Sequence, residues 1–382
     1  MKRIGVLFDG NLCDRKGMVN ATLSRIVYLK TISQYPIDIY AIQYTNNILN
    51  IFKQRTSEIA IDGLCINVIK CYSFFADSIL RRLKINYSFT DSFIISKLSK
   101  YLQNCILLSV HSLTPGYVAY MMKRKYGIPY YVTWHGSDIH TIPYSSSFYF
   151  SKVKRTIEAS NRNFYVSKAL YAQSLNITRK QEYDVLYNGV SQSFSSFSTE
   201  QKKGLRINNE VLGKHVIAFA GNLIPIKNVS VLPDIFKSVR NQIADVIFWI
   251  IGDGNQRYIL EKKCSEYDLT VKFWGNLPHS KMPEIFNCID VLVLPSKNEG
   301  LPLVLAEAIL CGSNAVGSKV GGISEVIGEE NSFNLDSNFV ANISNRICYF
   351  INTGCKQEVP PVFDWENTSK KEYNHYLKTL SE

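Results

Sequence analysis

The chain has 382 residues, of which 46% are hydrophobic and 20% charged, and a formal net charge of +11. This length and composition favour a globular protein of two domains, with no apolar run long enough for a transmembrane helix. The nine cysteines are scattered singly, and neither they nor the six histidines have zinc-ligand spacing. We therefore expect a cytoplasmic protein with reduced cysteines.

The positive charge is concentrated in the first half of the chain. Residues 1–190 contain 24 basic and 11 acidic residues, whereas residues 191–382 contain 19 and 21. Three clusters carry much of the excess: Arg81-Arg82-Lys84, Lys123-Arg124-Lys125 and Lys152-Lys154-Arg155. They favour an anionic partner such as a membrane surface, although each could be a solvated helix face. Nucleic acid is not expected, because no interleaved aromatic motif accompanies the basic residues.

The chain opens with a strand at 2–8, a polar loop at 9–17 and a helix at 18–35, which places Gly17 near a helix N-terminus. A further strand is predicted at 37–42. Residues 44–100 are less regular and mix aromatic with basic side chains. That mixture suits either an interfacial membrane surface or a helix that packs its Phe side chains into the core.

A histidine follows the next pair of predicted strands, at 105–110 and 129–134. The sequence Trp134-His135-Gly136 places His135 at the carboxyl edge of the sheet, where its imidazole can donate to a hydroxyl or phosphate oxygen. A turn cap is the alternative for His135. Asp138 is a candidate to accept from an acceptor hydroxyl. His111 also ends a strand but lacks a following motif, so we predict a structural role for it.

The Ser- and Phe-rich run at 191–198 and the polar run at 199–214 indicate a linker that opens a second domain. A strand at 215–220 then leads through Gly221 and Lys227 to a helix predicted from Asn228. A lysine just before a helix N-terminus can pair with a diphosphate. Strands at 246–251 and 271–274 end in glycines that let a ring approach the backbone.

Residues 299–307, Glu-Gly-Leu-Pro-Leu-Val-Leu-Ala-Glu, follow a predicted buried strand at 289–294. Pro302 suits the first position of a helix that continues to Leu310. Glu299 is therefore expected at the carboxyl end of a strand and Glu307 in the second helical turn, beside amides that can bind phosphate oxygens. This arrangement suits a nucleotide sugar. The alternative is one Glu favoured by the helix dipole and one solvated Glu.

These motifs, in this order, resemble the retaining glycosyltransferases of family 4, which have the two-domain GT-B fold. The matching features are a strand start, His-Gly, Asn-Gly-Val, Gly-x-Leu-x3-Lys, Gly-Asp-Gly, E-x7-E and Gly-Gly-Ile-x-Glu. The resemblance implies an α/β protein whose two Rossmann-like domains, residues 1–190 for the acceptor and 191–363 for the nucleotide sugar, face each other across a cleft. It also implies that residues 364–382 form a helix that crosses back to the N-terminal domain.

The resemblance also implies roles for single residues, with His135, Lys227 and Glu299 catalytic and Asp138 facing the acceptor. Asn222 stands where the family usually has Arg, so one cation instead of two would face the diphosphate. No metal or cofactor is expected, because no Asp-x-Asp pair is present and the nucleotide sugar is a co-substrate. The implied donor-binding residues are Gly17, Asn222, Lys227, Asn276, Leu277, Glu299, Gly300, Leu301, Pro302, Leu303 and Glu307.

The predicted function is transfer of a sugar, with retention of configuration, from a nucleotide-diphosphate sugar to an acceptor hydroxyl. A glycan or lipid-linked glycan acceptor in cell-surface polysaccharide or glycolipid synthesis is expected, which would place the protein at the inner face of the membrane. Two alternatives stay open. One is a sugar-nucleotide epimerase of the same fold, and the other is a non-catalytic two-domain protein that binds a phosphorylated ligand.

Overall fold

The structure, a computed structural model, describes residues 2–12, 17–45, 57–83, 85 and 87–381. The chain divides into two compact units, one formed by Met1–Gly189 with Asp364–Glu382 and the other by Val190–Phe363. Each unit contains one largely parallel sheet whose strands are connected through helices, as predicted for Rossmann-like domains. Lys84 and the side chain of Arg81, both in the first basic cluster, lie outside the description.

Eight strands form the sheet of the first unit. They are β1 (Arg3–Asp9), β2 (Ile37–Thr45), β3 (Ser57–Ile61), β4 (Leu64–Tyr72), β5 (Cys105–His111), β6 (Tyr130–Trp134), β7 (Arg162–Tyr165) and β8 (Tyr183–Val185). Their order across the sheet is β3-β4-β2-β1-β5-β6-β7-β8, and among the described strands only the β3–β4 pair is antiparallel. The central strand β1 buries Val6, Leu7 and Phe8 completely, which is typical of a parallel strand covered on both faces.

The helices of the first unit connect these strands, and one of them follows the second unit in sequence. They are α1 (Gly17–Ile32), α2 (Ala76–Arg82), α3 (Phe89–Leu102), α4 (Leu113–Tyr126), α5 (Ser137–His140), α6 (Ser147–Ala159), α7 (Lys168–Ser174) and, at the end of the chain, the terminal helix (Trp365–Ser381).

The described part of segment 44–100 is more regular than predicted, because it contains the β3–β4 hairpin and helices α2 and α3. The two hairpin loop residues, Asp62 and Gly63, have φ values of 50° and 76°. Two successive positive φ angles fit the right-handed twist of a hairpin, and Asp-Gly between apolar runs is a strong sequence signal for such a turn. That signal at Ile61–Leu64 would have located the hairpin.

The second unit has a six-stranded, all-parallel sheet. Its strands are β9 (His215–Ala220), β10 (Val246–Ile251), β11 (Val271–Gly275), β12 (Val291–Leu294), β13 (Asn314–Ser318) and β14 (Ser332–Phe333), in the order β11-β10-β9-β12-β13-β14. Its helices are α8 (Thr199–Asn208), α9 (Leu232–Arg240), α10 (Arg257–Glu266), α11 (Met282–Phe286), α12 (Leu303–Leu310), α13 (Ile323–Ile327) and α14 (Phe339–Thr353).

Three details of the second unit differ from the sequence prediction. Residues 199–208 form helix α8 instead of a linker, because Ser198 and Gln201 make a reciprocal capping box at its start. The helix predicted from Asn228 begins as a short 3-10 turn, and α9 starts at Leu232. Pro302 is the N-cap of α12 and not its first helical residue.

The terminal helix completes the core of the first unit. Tyr373 and Tyr376 are buried there in one cluster with Ile4, Leu107 and Phe164. Its start is equally close-packed, since a Cβ on Gly189 would lie 2.3 Å from the backbone nitrogen of Trp365. The last residues of the chain therefore belong to the same unit as its first strand.

Within the described ranges, no helix is long and apolar enough to cross a membrane.

Candidate active site

In the second unit, Lys227 and Glu299 form an ion pair beyond the carboxyl ends of two neighbouring strands, β9 and β12. Lys227 Nζ lies 2.5 Å from Glu299 Oε1, and the two side chains are 22% and 12% exposed. Lys227 ends a 3-10 turn that begins at Pro225, after β9. The backbone N–H of Lys297 donates to the Ile226 carbonyl at 2.8 Å, which ties the two loops together. A cation and a carboxylate are thus held at the sheet edge where α/β proteins bind ligands.

Glu299 is positioned by hydroxyl and backbone contacts. Ser296 Oγ donates to Glu299 Oε1 at 2.6 Å, and Ser318 Oγ donates to the Ser296 carbonyl at 2.5 Å. Gly321 has φ 52°, and a Cβ there would lie 1.9 Å from the Glu299 carbonyl oxygen. The close approach of this glycine therefore fixes the backbone of Glu299.

Glu307 has a different partner. Its Oε1 lies 3.2 Å from Nε2 of His279, a residue of a 3-10 turn after β11. Glu307 is 13% exposed, whereas the His279 side chain is 52% exposed. This second carboxylate is thus held by a partly exposed histidine, and either of its oxygens can accept from a ligand hydroxyl.

Glycines let the loops after β9 and β10 pack backbone against backbone. Gly252 has φ 123°, and a Cβ on it would lie 2.0 Å from the Gly221 carbonyl oxygen. A Cβ on Gly254 would lie 2.4 Å from the Leu223 carbonyl oxygen. The Gly-Asp-Gly motif is therefore required by the packing of these loops, in addition to any role toward a ligand.

The other predicted donor residues occupy loops of the second unit, except for Gly17. Asn222 is half-buried, and its carbonyl accepts from the Ile224 N–H at 3.0 Å. Asn276 is exposed and Leu277 half-buried after β11. Gly17 begins helix α1 of the first unit and is exposed, and residues 13–16 before it lie outside the description. The remaining predicted donor residues surround the start of α12: Gly300 and Pro302 are buried, and Leu301 and Leu303 are half-buried.

In the first unit, two histidines stack at the carboxyl ends of β5 and β6. Nδ1 of His111 lies 3.1 Å from Nε2 of His135, and the ring centroids are 5.4 Å apart. Burial, followed by the positive charge of Arg25, lowers the pKa of His135 to about 3. Burial, His135 and Arg25 hold the pKa of His111 well below its usual range. Both rings are therefore neutral at neutral pH.

Asp138, the predicted acceptor-binding residue, binds the backbone beside His135. Its Oδ1 accepts from the Gly136 N–H at 2.9 Å and its Oδ2 from the His135 N–H at 3.3 Å. The residue is 3% exposed, and burial raises its pKa to about 6 despite these hydrogen bonds. In this arrangement Asp138 orients the turn that carries His135, and a direct contact with an acceptor stays a prediction.

A second carboxyl group lies at the same edge of the sheet. Ser112 Oγ donates to Asp9 Oδ1 at 2.5 Å, and burial raises the pKa of Asp9. Ser112 has φ 77° and ψ 179°, a backbone conformation that side-chain-bearing residues rarely adopt. Such strain costs roughly 1–3 kcal/mol and is concentrated at functional sites.

Sequence reasoning overlooked three of these side chains. The sequence predicts a structural role for His111 and indicates no role for His279 or Ser296. The available signal was position, because each follows or ends a parallel strand of its sheet. Side chains at those ends converge even when they are far apart in sequence.

Solved structures show the same fold over nearly the whole chain. Sucrose-phosphate synthase from Thermosynechococcus elongatus superposes with a TM-score of 0.79, covering 100% of both chains at 14% identity. HepE from Anabaena, solved in complex with UDP and glucose, gives a TM-score of 0.70, covering 99% of both chains at 18% identity. These neighbours are GT-B proteins, which confirms the predicted GT-B fold.

Residues 200–359 match the family "Glycosyl transferases group 1". This match lies entirely within the second unit of the chain. It is 27% identical over 224 residues to the uncharacterized glycosyltransferase MJ1178 of Methanocaldococcus jannaschii, covering 58% of each protein. It is 26% identical over 225 residues to the putative teichuronic acid biosynthesis glycosyltransferase TuaC of Bacillus subtilis, covering 58% of this chain and 55% of TuaC. The chain thus matches little more than half the length of these relatives.

Proposed function

We propose that this protein is a retaining glycosyltransferase that moves a sugar from a nucleotide-diphosphate sugar to an acceptor hydroxyl. The observation that carries the proposal is the Lys227–Glu299 pair, held at the sheet edge of the family-matching unit. The family match of residues 200–359 and the UDP and glucose named for HepE support a nucleotide sugar as the donor.

The pair suits this chemistry because its members bind opposite parts of the donor. Lys227 is the cation that binds the diphosphate. When the donor binds, the Lys227 ammonium leaves the Glu299 carboxylate and pairs with the phosphate oxygens, so one anionic partner replaces another. Glu299 is then free to accept hydrogen bonds from sugar hydroxyls, while Glu307 accepts from the ribose. Ser296 keeps Glu299 oriented during the exchange.

In the proposed reaction, the acceptor oxygen bonds to the anomeric carbon on the face from which the diphosphate departs. The bond between that carbon and the phosphate oxygen breaks, and the acceptor proton passes to the leaving diphosphate. The protein positions the reactants and stabilises the negative charge on the leaving group, with Lys227 as the cation. We propose no metal and no further cofactor, and we assign His135 a contact with a sugar hydroxyl.

The acceptor class is proposed from the relatives and from the surface of the first unit. TuaC is named for teichuronic acid synthesis, so a growing glycan or lipid-linked glycan is our proposed acceptor. Large apolar side chains are exposed between residues 75 and 89, next to basic residues, which suits contact with the inner face of an anionic membrane. Those exposed side chains, here called the 75–89 surface, are Phe75, Ile79, Leu83, Ile85, Tyr87 and Phe89.

The test is release of nucleoside diphosphate. Thermal stabilisation by a set of nucleotide sugars first identifies the donor, and turnover is then measured with that donor. We expect Glu299→Ala to lower the release rate by about 100-fold or more, because a group that positions the reacting sugar is lost.

Glu284→Ala is the matched control, because Glu284 is 46% exposed and pairs only loosely with Lys281 at 3.4 Å. This variant should keep full activity. Near-normal release by Glu299→Ala would contradict the site assignment. Tight donor binding without any release, with a panel of glycan acceptors, would instead identify a binding protein.

A further inference from the structure

The contact between His111 and His135 restricts where their protons are. The 3.1 Å separation of His111 Nδ1 and His135 Nε2 is a hydrogen-bond distance, so one nitrogen carries a proton and the other does not. Both rings are neutral, so each has a single N–H. Two arrangements remain: His111 donates from Nδ1, or His135 donates from Nε2.

The other nitrogen of His111 distinguishes these arrangements. His111 is fully buried, and its Nε2 has no hydrogen-bond partner among the described residues. If His135 were the donor, His111 would carry its own proton on this unpartnered Nε2. Buried N–H groups without an acceptor are rarer than buried acceptors without a donor. The contact therefore favours His111 Nδ1–H as the donor, with a bare Nε2.

Arg25 helps to keep both rings neutral. Its guanidinium donates to Thr133 Oγ1 at 2.9 Å, and Thr133 pairs with His111 between strands β6 and β5. A nearby positive charge opposes a second proton on an imidazole. Glu372 of the terminal helix lies 3.1 Å from Arg25 Nε and keeps the guanidinium in place.

We propose that His111 is a positioning residue that keeps the proton of His135 on Nδ1. With Nε2 occupied as an acceptor, His135 meets its ligand as a neutral hydrogen-bond donor and not as a base. The charged groups around the pair are consistent with neutral rings, because the charge of Arg25 opposes a second proton on either ring. Glu372 pairs with Arg25 and accepts from Tyr376, and Asp138 accepts from the backbone N–H of His135. That the ligand is a sugar hydroxyl rests on the proposed function, whereas the proton position does not.

The proton position is measured by nitrogen NMR of the full-length protein labelled with ¹⁵N-histidine. Loss of signals in His135→Gln assigns the ring of His135. At neutral pH we expect a protonated-type Nδ1 and an unprotonated-type Nε2 for His135, unchanged on acidification to about pH 5. A protonated Nε2 on His135 in the wild-type protein overturns the proposal. This outcome does not depend on the proposed transfer of a sugar.

Two variants test the role of His111 itself. His111→Leu removes the donor, and we expect the proton of His135 to redistribute between its nitrogens. His111→Asn offers an amide N–H near the position of Nδ1, and we expect it to restore the wild-type signals. If turnover is established, kcat of His111→Leu should fall about tenfold with little change in donor KM, as for one lost hydrogen bond, and His111→Asn should recover it. If the His135 signals of His111→Leu were the same as those of the wild-type protein, the positioning role of His111 would be contradicted.

Discussion

At the residue scale, the candidate site depends on close packing of the backbone as much as on the chemical groups of its side chains. Glu299 is oriented by Ser296, but its backbone is confined by Gly321, where no side chain fits. The two histidine rings of the first unit also depend on their surroundings. Burial lowers both pKa values, His135 adds to the shift of His111, and Arg25 adds to both, so that the rings are neutral.

Substitution of Gly321 tests the confinement of Glu299. We expect Gly321→Ala to lower turnover by about 100-fold, because the new Cβ would displace the Glu299 backbone and a shift of about 1 Å is enough for such a loss. The matched control is Gly213→Ala. Gly213 has φ 78°, but no atom lies within 4 Å of its added Cβ.

Both variants share the cost of a left-handed residue, about 1–2 kcal/mol in the free energy of unfolding. Only Gly321→Ala should lose activity. The rate of nucleoside diphosphate release measures the activity of each variant, and a thermal melt measures its stability. Equal activity of the two variants would contradict the positioning role of Gly321.

At the scale of elements, the terminal helix contributes a buried ion pair to the first unit. The side chains of Arg25 and Glu372 are 1% and 0% exposed, with Arg25 Nε 3.1 Å from Glu372 Oε2. Tyr376, one turn later, donates to Glu372 Oε1 and lies 2.8 Å from Ser109 Oγ. The last helix is therefore joined to α1 and β5 by charge as well as by apolar packing.

Removal of the Glu372 charge should destabilise the first unit. We expect Glu372→Gln to lower its free energy of unfolding by about 3–5 kcal/mol, because Arg25 would be left as a buried unpaired charge. Native-state hydrogen exchange of the β5 amides measures the free energy of unfolding of the first unit separately from that of the second unit.

Glu366→Gln is the control on the same helix, because Glu366 pairs with Lys370 at 2.6 Å but is 60% exposed. It should change the free energy of unfolding by less than about 1 kcal/mol. If both variants lost a similar amount of free energy of unfolding, the buried Arg25–Glu372 pair would not stabilise the first unit more than the exposed pair does.

At the scale of the whole molecule, charge and exposed apolar area are unevenly distributed along the chain. Residues 1–190 have an excess of 13 basic residues, and the 75–89 surface lies among them. Basic residues contribute about 1 kcal/mol each near an anionic bilayer, and exposed aromatic side chains can enter its interface.

Binding to vesicles tests the proposed membrane contact. We expect the protein to sediment with vesicles containing anionic phospholipid at low salt, and to be released as the salt concentration rises. Phe75→Ser should weaken sedimentation, because Phe75 is 77% exposed on the 75–89 surface. Tyr258→Ser, at a 76% exposed position of the second unit, is the control and should have no effect. No sedimentation at low salt would contradict the proposal.

The sequence by itself predicted most of the strands around the candidate site, the GT-B fold and the resemblance of the second half of the chain to glycosyltransferases. Those features appear in local sequence patterns, such as the apolar run before Glu299 and the glycines after β9 and β10, Gly221 and Gly252. A parallel strand needs an apolar run wherever it lies in the chain. The Asp62-Gly63 turn was equally local, although it was not recognised.

Only the tertiary structure decided which side chains meet. Lys227 and Glu299 are 72 residues apart, His111 and His135 are 24 apart, and Arg25 and Glu372 belong to opposite ends of the chain. Their contacts follow from strand order, which brings carboxyl ends together, and from the return of the last helix to the first unit. Burial and the charges of neighbouring groups, which set the state of each histidine, exist only once those contacts form.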